Sequence, residues 1–361
     1  MDTDIEIISK TFKMLYDGLL DSLFNKAHKH FFIKNPFADD CDPSQVVAIL
    51  NEIVLGSVYA FPLEIVFQSD RIFKVCAGST LYVNPESRGM GIGGRLTMER
   101  LQLTKDKIAI AAGLSGMSLP IFQKKGFDVF FLKRFIFLQN SRPVVEMFFK
   151  NKYFVKVGTC LFNGFVSLWK KVLEKQAKSY IKDLQVIEVT KATTDVEDII
   201  NQDKSVFREN HTKEWFNWVL KGGFVEDNRS RQHLFLVKDE EKTIAFFMTK
   251  ERFHSQASHR GFKNVILGSV IEWGILENNK LTENQLLLLA LLSFGKHVDA
   301  VEICSAYDSI NRFLKRRLLI QVGESNFAIK AADDSPLQQY PEYHEQRSWR
   351  IRPAASDNSF D

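Results

Sequence analysis

Short runs of β-branched and aromatic residues, separated by polar turns, fill the first third of the chain. Such runs predict successive strands. Ahead of them, apolar residues spaced by three and four over 10–28 predict one face of a helix. The predicted strands lie at 46–50, 53–61, 64–67, 71–76 and 79–83, with turns at Asn51-Glu52 and Ser69-Asp70.

A glycine cluster follows these strands, with four glycines between residues 89 and 94. Beyond it the pattern predicts helices at 93–105 and 118–125, a buried strand at 108–112 and a strand at 127–137. Gly126 stands where glycine commonly ends a helix. This alternation predicts an α/β fold in which helices cover one sheet. The sheet is mixed, as in α+β proteins, with both parallel and antiparallel strands.

The segment 141–183 has a different pattern, because apolar residues alternate irregularly with lysines. From 133 to 182 there are 11 Lys and Arg residues against two acidic ones. The charge-free run 157–169 is shorter than the roughly 20 residues that span a bilayer. The pattern predicts a basic amphipathic helix or helix pair. It is interpreted as a connector with a solvated lysine face, as a contact for an anionic membrane surface, or as a site for an anionic partner.

A second α/β pattern begins at residue 184, and its elements roughly repeat the order of the first half. The last stretch is polar and contains prolines, which predicts an irregular tail on the surface. We therefore expect a first domain at 1–140, a basic helical connector at 141–183, a second domain at 184–335 and a polar tail at 336–361.

Composition excludes several classes of protein. A hydrophobic fraction of 45% and a net charge of +4 are typical of a globular protein, and no nucleic-acid partner is expected. Cys41, Cys76, Cys160 and Cys304 lack zinc-site spacing, so buried free thiols and no metal site are predicted. The acidic start Met1-Asp2-Thr3-Asp4 does not resemble a signal peptide, and a cytoplasmic location is expected.

The glycine cluster joins a predicted strand to a predicted helix, an arrangement that holds phosphate groups. Glycines let the backbone approach an anion, and the helix N-terminus adds N–H groups and a favourable dipole. A Walker-type loop is excluded because Arg95-Leu96 follows Gly94 where Lys-Ser/Thr is required. A dinucleotide fold would use an acidic residue such as Asp106, but the strands upstream have an antiparallel pattern.

Two motifs in this region resemble one family. The first is Val83-x-Pro85-Glu86-x-Arg88-Gly89-x-Gly91-Ile92-Gly93-x-x-Leu96, and the second is Leu119-Pro120-Ile121-Phe122-Gln123-Lys124-Lys125-Gly126-Phe127. Arg88, Gly91 and Gly93 match the Arg/Gln-x-x-Gly-x-Gly/Ala signature of the GCN5-related N-acetyltransferase (GNAT) superfamily. The resemblance covers residues 45–138.

The resemblance implies an N-acetyltransferase that uses acetyl-CoA or another acyl-CoA. The end of the strand at 79–83 would splay from the strand at 108–112, expose backbone groups to the pantetheine arm and polarise the thioester carbonyl. The acceptor would be a primary amine of a small molecule, with an amino sugar or a sugar nucleotide as the first guess. The implied coenzyme A contacts are Leu81, Tyr82, Val83, Arg88, Gly89, Met90, Gly91, Ile92, Gly93 and Gly94.

Two positions depart from the family pattern. Ala77 stands where many members have a glutamate base, and Phe122 stands where many have a tyrosine acid. Ser79 shares a strand face with Ala77 and is the remaining candidate catalytic residue, through an ordered water. The alternative is an acyl-CoA-binding sensor or scaffold with little or no turnover, associated with a membrane surface through the basic segment.

A fainter resemblance lies in the second half. Ala300-Val301-Glu302-Ile303-Cys304-Ser305 and the segment from Asn311 to Leu318 are similar to the strand and helix of the second motif, whereas 277–284 contains no glycine. This implies a degenerate GNAT-like domain without its own cofactor site.

Overall fold

A computed structural model describes residues 5–11, 35–68, 71–149, 151–221, 230–254, 264–277, 280–317 and 319–354. The helix predicted at 10–28 falls almost wholly outside these residues, and so does the turn predicted at Ser69-Asp70. The described strands are β1 (Glu6–Thr11), β2 (Pro43–Leu50), β3 (Ile53–Phe67), β4 (Arg71–Val83), β5 (Ile108–Ala112), β6 (Asp128–Leu138), β7 (Gln185–Val189), β8 (Phe207–Glu209), β9 (Ser230–Asp239), β10 (Lys242–His254), β11 (Val265–Ile275), β12 (Ala300–Ser305), β13 (Ile320–Ala331) and β14 (Trp349–Arg350).

Eight helices are described between these strands. They are α1 (Ile92–Glu99), α2 (Leu119–Lys124), α3 (Arg142–Phe148), α4 (Lys152–Tyr180), α5 (Thr194–Asn201), α6 (Lys213–Leu220), α7 (Glu283–Leu292) and α8 (Asp308–Arg316). The mixed α/β class predicted from the sequence is confirmed. The segment predicted as one basic helix or a helix pair forms α3 and α4.

The chain divides into two compact units that are not continuous in sequence. The first comprises 1–132, 204–219 and 325–361, and the second comprises 133–203 and 220–324. The sequence predicted contiguous domains with boundaries at 140, 183 and 335. The units differ from that pattern because the second half of β13 pairs with β5 in the first unit, in the register Phe327–Ala112.

The first unit is built on long antiparallel strands. Strands β1, β2, β3 and β4 pair in this order, and β4 pairs in parallel with β5. The breaks predicted within β3 and β4 are absent, because the two strands pair from Phe67–Arg71 to Gly56–Val83. Helix α1 packs Ile92 and Leu96 against this sheet.

The end of the chain also belongs to the first unit. Residues 336–354, predicted as part of a surface tail, include buried Leu337, Tyr343 and Trp349. The Trp349 ring stacks on Phe207 with 4.9 Å between ring centroids, and β14 pairs with β8. Aromatic packing therefore holds this segment in the core, although its polar composition is typical of a tail.

The second unit repeats the combination of antiparallel strands and one parallel pair. Its strand order is β6, β12, β11, β10, β9 and β7, with β11 and β12 parallel. Helix α7 is the centre of its core, with Leu286 to Leu291 buried against Trp273. Helix α4 contributes Leu173 and Ala177 to the same core.

The cysteines and the lengths of the apolar helices were also predicted from the sequence. Cys76 and Cys304 are buried free thiols as predicted, but Cys41 and Cys160 are exposed. Within the described part of the chain, no helix combines the length and the apolar character that crossing a membrane requires.

Candidate functional site

The site begins where strands β4 and β5 separate. Their parallel pairing ends at Gly78–Ala111, whereas β4 continues to Val83. A register shift against β3 and a positive φ of 48° at Thr80 mark a bulge just beyond the separation. The bulge bends the strand, and the edge of β4 from residue 79 onward is no longer paired by β5. Backbone groups therefore line a gap, as the family resemblance implied.

The glycine-rich loop follows directly after β4. Gly89 and Gly91 have φ values of 88° and 77°, which favour glycine. Gly91 caps α1 without a side-chain hydrogen bond, and the first helical bond runs from the Arg95 N–H to the Gly91 carbonyl at 3.1 Å. The preceding N–H groups, at residues 92–94, lie in the first turn, where a helix offers donors to a ligand.

The loop is held against the strand by its own arginine. Arg88 Nε donates to the Val83 carbonyl at 3.2 Å. A Cβ added to Gly89 or Gly91 would meet no atom within 4 Å, so open space surrounds both glycines. The loop thus combines a fixed base with a surface that an anion can approach.

A cavity of about 580 Å³ lies over this loop. Nine of the ten residues that the sequence assigned to coenzyme A line it, and Met90 does not. Seven further lining residues were not predicted from the sequence. Ser87 belongs to the first motif, and the other six flank or belong to the second. The seven residues are Ser87, Ser115, Met117, Ser118, Ile121, Lys124 and Lys125.

The cavity wall carries positive charge. Among its described lining residues are Arg88, Lys124 and Lys125, and none is acidic. The Lys125 side chain lies over Gly94, since a Cβ there would be 2.6 Å from Lys125 Cε. Lys330 Nζ donates to the Lys125 carbonyl at 2.8 Å and fixes the end of α2. The wall therefore suits a polyanionic ligand such as a pyrophosphate.

A smaller cavity of about 230 Å³ adjoins the first at the strand separation. The two share Leu81, Ser115 and Ser118 as lining residues. The smaller one is also lined by Val58, by residues 78–80 and 111–114, and by Arg100 and Phe122. A molecule held along β4 would therefore extend from the glycine loop into a hydroxyl-rich second space.

The positions that departed from the family pattern hold no ionisable group. Ala77 is fully buried, and Phe122 is buried with its ring centroid 4.8 Å from that of Phe127. Ser79 is half-buried in the smaller cavity, and its Oγ lies 3.1 Å from Thr80 Oγ1. Ser79 is thus the one predicted catalytic residue that lines a cavity.

A buried cation lies beneath the strand separation. Arg100 is fully buried, its Nη1 donates to the Ile110 carbonyl at 3.0 Å, and its guanidinium lies 5.5 Å from the centroid of Phe122. Burial raises the pKa of the neighbouring Cys76 thiol to about 11, although the positive charge of Arg100 opposes that shift. The thiol therefore stays protonated at neutral pH. Among the described residues, no group of His, Cys, Asp and Glu side chains is placed to hold a metal ion.

Several solved structures have the same overall fold. A GCN5-related N-acetyltransferase from Anabaena variabilis has a TM-score of 0.54 and 10% identity, with 90% of this chain and 72% of that chain covered. The chain has the GNAT fold. Saccharomyces cerevisiae N-myristoyltransferase, solved with bound myristoyl-CoA, has a TM-score of 0.53 and 12% identity, covering 91% and 83% of the two chains.

A third structure with this GNAT fold is a probable N-acyltransferase from Enterococcus faecalis, with a TM-score of 0.54, 12% identity and coverage of 94% and 74%. No family model and no curated protein matches the sequence. At these identities the likeness establishes the fold, and the chemistry has to be argued from the site.

Proposed function

We propose that this protein is an acyl-CoA-dependent N-acyltransferase whose larger cavity binds coenzyme A. The observation that carries the proposal is the cavity itself, because it joins the glycine loop, the unpaired edge of β4 and two lysines. The yeast N-myristoyltransferase that shares the fold was solved with an acyl-CoA bound. Acetyl-CoA is the donor proposed here, and longer acyl groups are to be tested beside it.

The lining residues divide into two binding roles. The N–H groups of Ile92, Gly93 and Gly94 would bind the pyrophosphate at the start of α1, with Lys124 and Lys125 neutralising its charge. Backbone groups of Leu81 to Val83 would hydrogen-bond the pantetheine arm as an added strand would. The thioester would then lie near the strand separation, where the two cavities meet.

The reaction needs little from ionisable side chains. An amine nitrogen attacks the thioester carbonyl, the C–N bond forms, the C–S bond breaks, and the thiolate leaves and takes up a proton. A backbone N–H at the β4 bulge would stabilise the oxyanion, and the shared cavities would hold the reactants together. Ser79 Oγ would order a water that receives the proton from the incoming ammonium.

The acceptor we propose is a primary amine on a small polar molecule, with an amino sugar or sugar nucleotide as the first choice. The smaller cavity has room for such a group and presents the hydroxyls of Ser79, Thr80, Ser115 and Ser118. Hydroxyl donors and acceptors suit a sugar better than an apolar amine.

A second candidate function is supported by one observation. Because Ala77 and Phe122 are buried and carry no proton-transfer group, the site could hold acyl-CoA without turning it over. The protein would then act as an acyl-CoA sensor or scaffold.

The two functions are separated by one pair of measurements. Calorimetric titration with acetyl-CoA gives the affinity, and release of free thiol reports transfer to amino sugars, polyamines and amino acids. The enzyme proposal expects amine-dependent thiol release that Ser79→Ala lowers in kcat but not in affinity for acetyl-CoA. Tight binding with no release for any acceptor would favour the sensor, and absence of binding would contradict both.

A further inference from the structure

Helix α4 exposes an apolar face that the cavities do not use. The outer face of α4 consists of Phe154, Val157, Leu161, Phe165, Leu168 and Val172, which are 40% to 71% exposed. Successive members are three or four residues apart, so they form one stripe along the helix. The buried residues Leu173 and Ala177 belong to a different side of the helix, which packs on the core of the second unit.

This outer face is large for a surface feature. From Phe154 to Val172 it extends over about 27 Å at 1.5 Å per residue. Phe149 continues it beyond the helix, since it is exposed and its ring centroid lies 6.4 Å from that of Phe154. Globular proteins rarely leave such contiguous apolar patches in water, and those that do usually bind another surface there.

Lysines border the outer face. Lys171 and Lys175 follow Leu168 and Val172 by three residues and are exposed, so each lies beside an apolar neighbour on the helix surface. Lys156 and Lys178 are exposed as well, and Glu174 is the helix's single acidic residue. A cationic border around an apolar stripe is complementary to anionic lipid, whose headgroups lie directly above an apolar interior.

We propose that the outer face of α4 docks on an anionic membrane surface, with the helix lying in the plane of the interface. Phe154, Leu161 and Phe165 enter the boundary between headgroups and acyl chains, while Lys171 and Lys175 contact lipid phosphates. The apolar stripe is one face of the helix and not its whole circumference, which suits an interfacial helix and not a spanning one. This inference goes beyond the proposed acyl transfer and does not depend on it.

The test is sedimentation of the full-length protein with two kinds of vesicle. One kind is phosphatidylcholine alone, and the other also contains about 30% of the anionic lipid phosphatidylglycerol. Binding is expected with the anionic vesicles and is expected to weaken with added salt. Leu161→Ser combined with Phe165→Ser should lower the partition coefficient at least tenfold. Lys171→Gln with Lys175→Gln should lower it about 25-fold, since each lysine contributes about fivefold.

A matched control uses two exposed isoleucines outside the helix. Ile72 and Ile320 are 51% and 54% exposed, so Ile72→Ser with Ile320→Ser removes similar apolar surface. This variant should bind anionic vesicles as the unchanged protein does. If it loses binding to the same extent as the helix variant, the outer face is not the docking surface.

Cys160 provides a direct local readout, because it is exposed within α4. An environment-sensitive fluorophore on Cys160, in a Cys41→Ser background, should shift to the blue with anionic vesicles only. A second copy of the chain is the competing occupant. A concentration-dependent dimer that Leu161→Ser with Phe165→Ser dissociates, without vesicle binding, would overturn the proposal, as would a monomer that binds no vesicle.

Discussion

The starts of helices α1 and α7 show how two similar strand–helix–strand segments acquire different properties. Each helix connects two parallel strands, β4 to β5 in the first unit and β11 to β12 in the second. Gly91 caps α1 without a side-chain bond, whereas Thr282 and Gln285 form a reciprocal capping box at α7. Side chains therefore cap the first turn of α7, whereas the first turn of α1 has no side-chain cap and is the kind of helix start at which anions bind.

The same contrast recurs beneath the parallel strands. Gly78 pairs with Ala111 and lies under Arg100, and Gly268 pairs with Val301 and lies under Phe294. A Cβ would be 1.6 Å from Arg100 Nη1 at the first glycine and 2.5 Å from Phe294 Cε1 at the second. Both units use glycine to admit a large side chain, but only the first places a cation there. One backbone pattern thus supports a polar site in one unit and an apolar core in the other.

The largest effect is expected on coenzyme A affinity, from a substitution at the start of α1. Gly91→Val places a β-branched residue at a φ of 77°, which distorts the loop and fills the space above it. Coenzyme A affinity should fall at least about 100-fold, or roughly 2.7 kcal/mol, by calorimetry.

Gly323→Val is the control for backbone strain, because Gly323 also has a positive φ, of 131°, and open space around it. This variant should bind coenzyme A normally. Unchanged affinity in Gly91→Val would mean that the loop is not the binding site.

A smaller effect, on the free energy of unfolding, is expected at Gly78 and Gly268, the two glycines that lie under large side chains. Gly78→Ala displaces buried Arg100 from its bond to Ile110, and Gly268→Ala collides with the rigid ring of Phe294. Each should lower the free energy of unfolding by about 2 kcal/mol in urea denaturation.

Only Gly78→Ala is expected to reduce acyl transfer as well, since Gly78 lines the smaller cavity. In an Arg100→Leu background, Gly78→Ala should lower the free energy of unfolding by less than it does in the otherwise unchanged protein. The guanidinium that would clash with the added Cβ is absent from that background. Full additivity would contradict the contact.

The third prediction concerns pH and the buried thiol of the first unit. Cys76 has a folded pKa of about 11 against an ordinary 9.0, so the folded state binds its proton more tightly. Between pH 9 and 11 the unfolded thiol ionises first, and stability falls as pH rises. Cys76→Ala should reduce that loss by up to about 2 kcal/mol in unfolding measured across this range. An identical pH profile in the variant would exclude the thiol as its cause.

The smallest effect is expected at the capped helix. Thr282→Ala removes the side-chain acceptor for the Gln285 N–H and should lower the free energy of unfolding by about 1 kcal/mol. Coenzyme A affinity should stay the same, because the N–H groups at the start of α7 are bonded to side chains of the same helix end and are not proposed to bind the ligand. Weaker binding in this variant would mean that the second unit takes part in holding the ligand.

Much of the fold and the position of the glycine loop could be predicted from the sequence, because both depend on local patterns. The glycine spacing located a cavity of which nine predicted residues form part, and apolar periodicity located α1, α2 and β5. Lys124 and Lys125 were not predicted as lining residues, because their place in the cavity wall depends on α2 lying across from the loop. The burial of Trp349 was not predicted, because its ring stacks on that of Phe207, which is more than 140 positions away in the chain.

The sequence by itself determined the strand-to-glycine-loop connection, the start of α1 without a side-chain cap and the absence of a glutamate or tyrosine at Ala77 and Phe122. These depend on which residues stand next to one another. Only the tertiary structure decided that the second half of β13 completes the first unit, that Gly78 lies under Arg100 and that the outer face of α4 has no cover among the described residues. Such features depend on contacts between distant segments, which packing selects and local propensity does not encode.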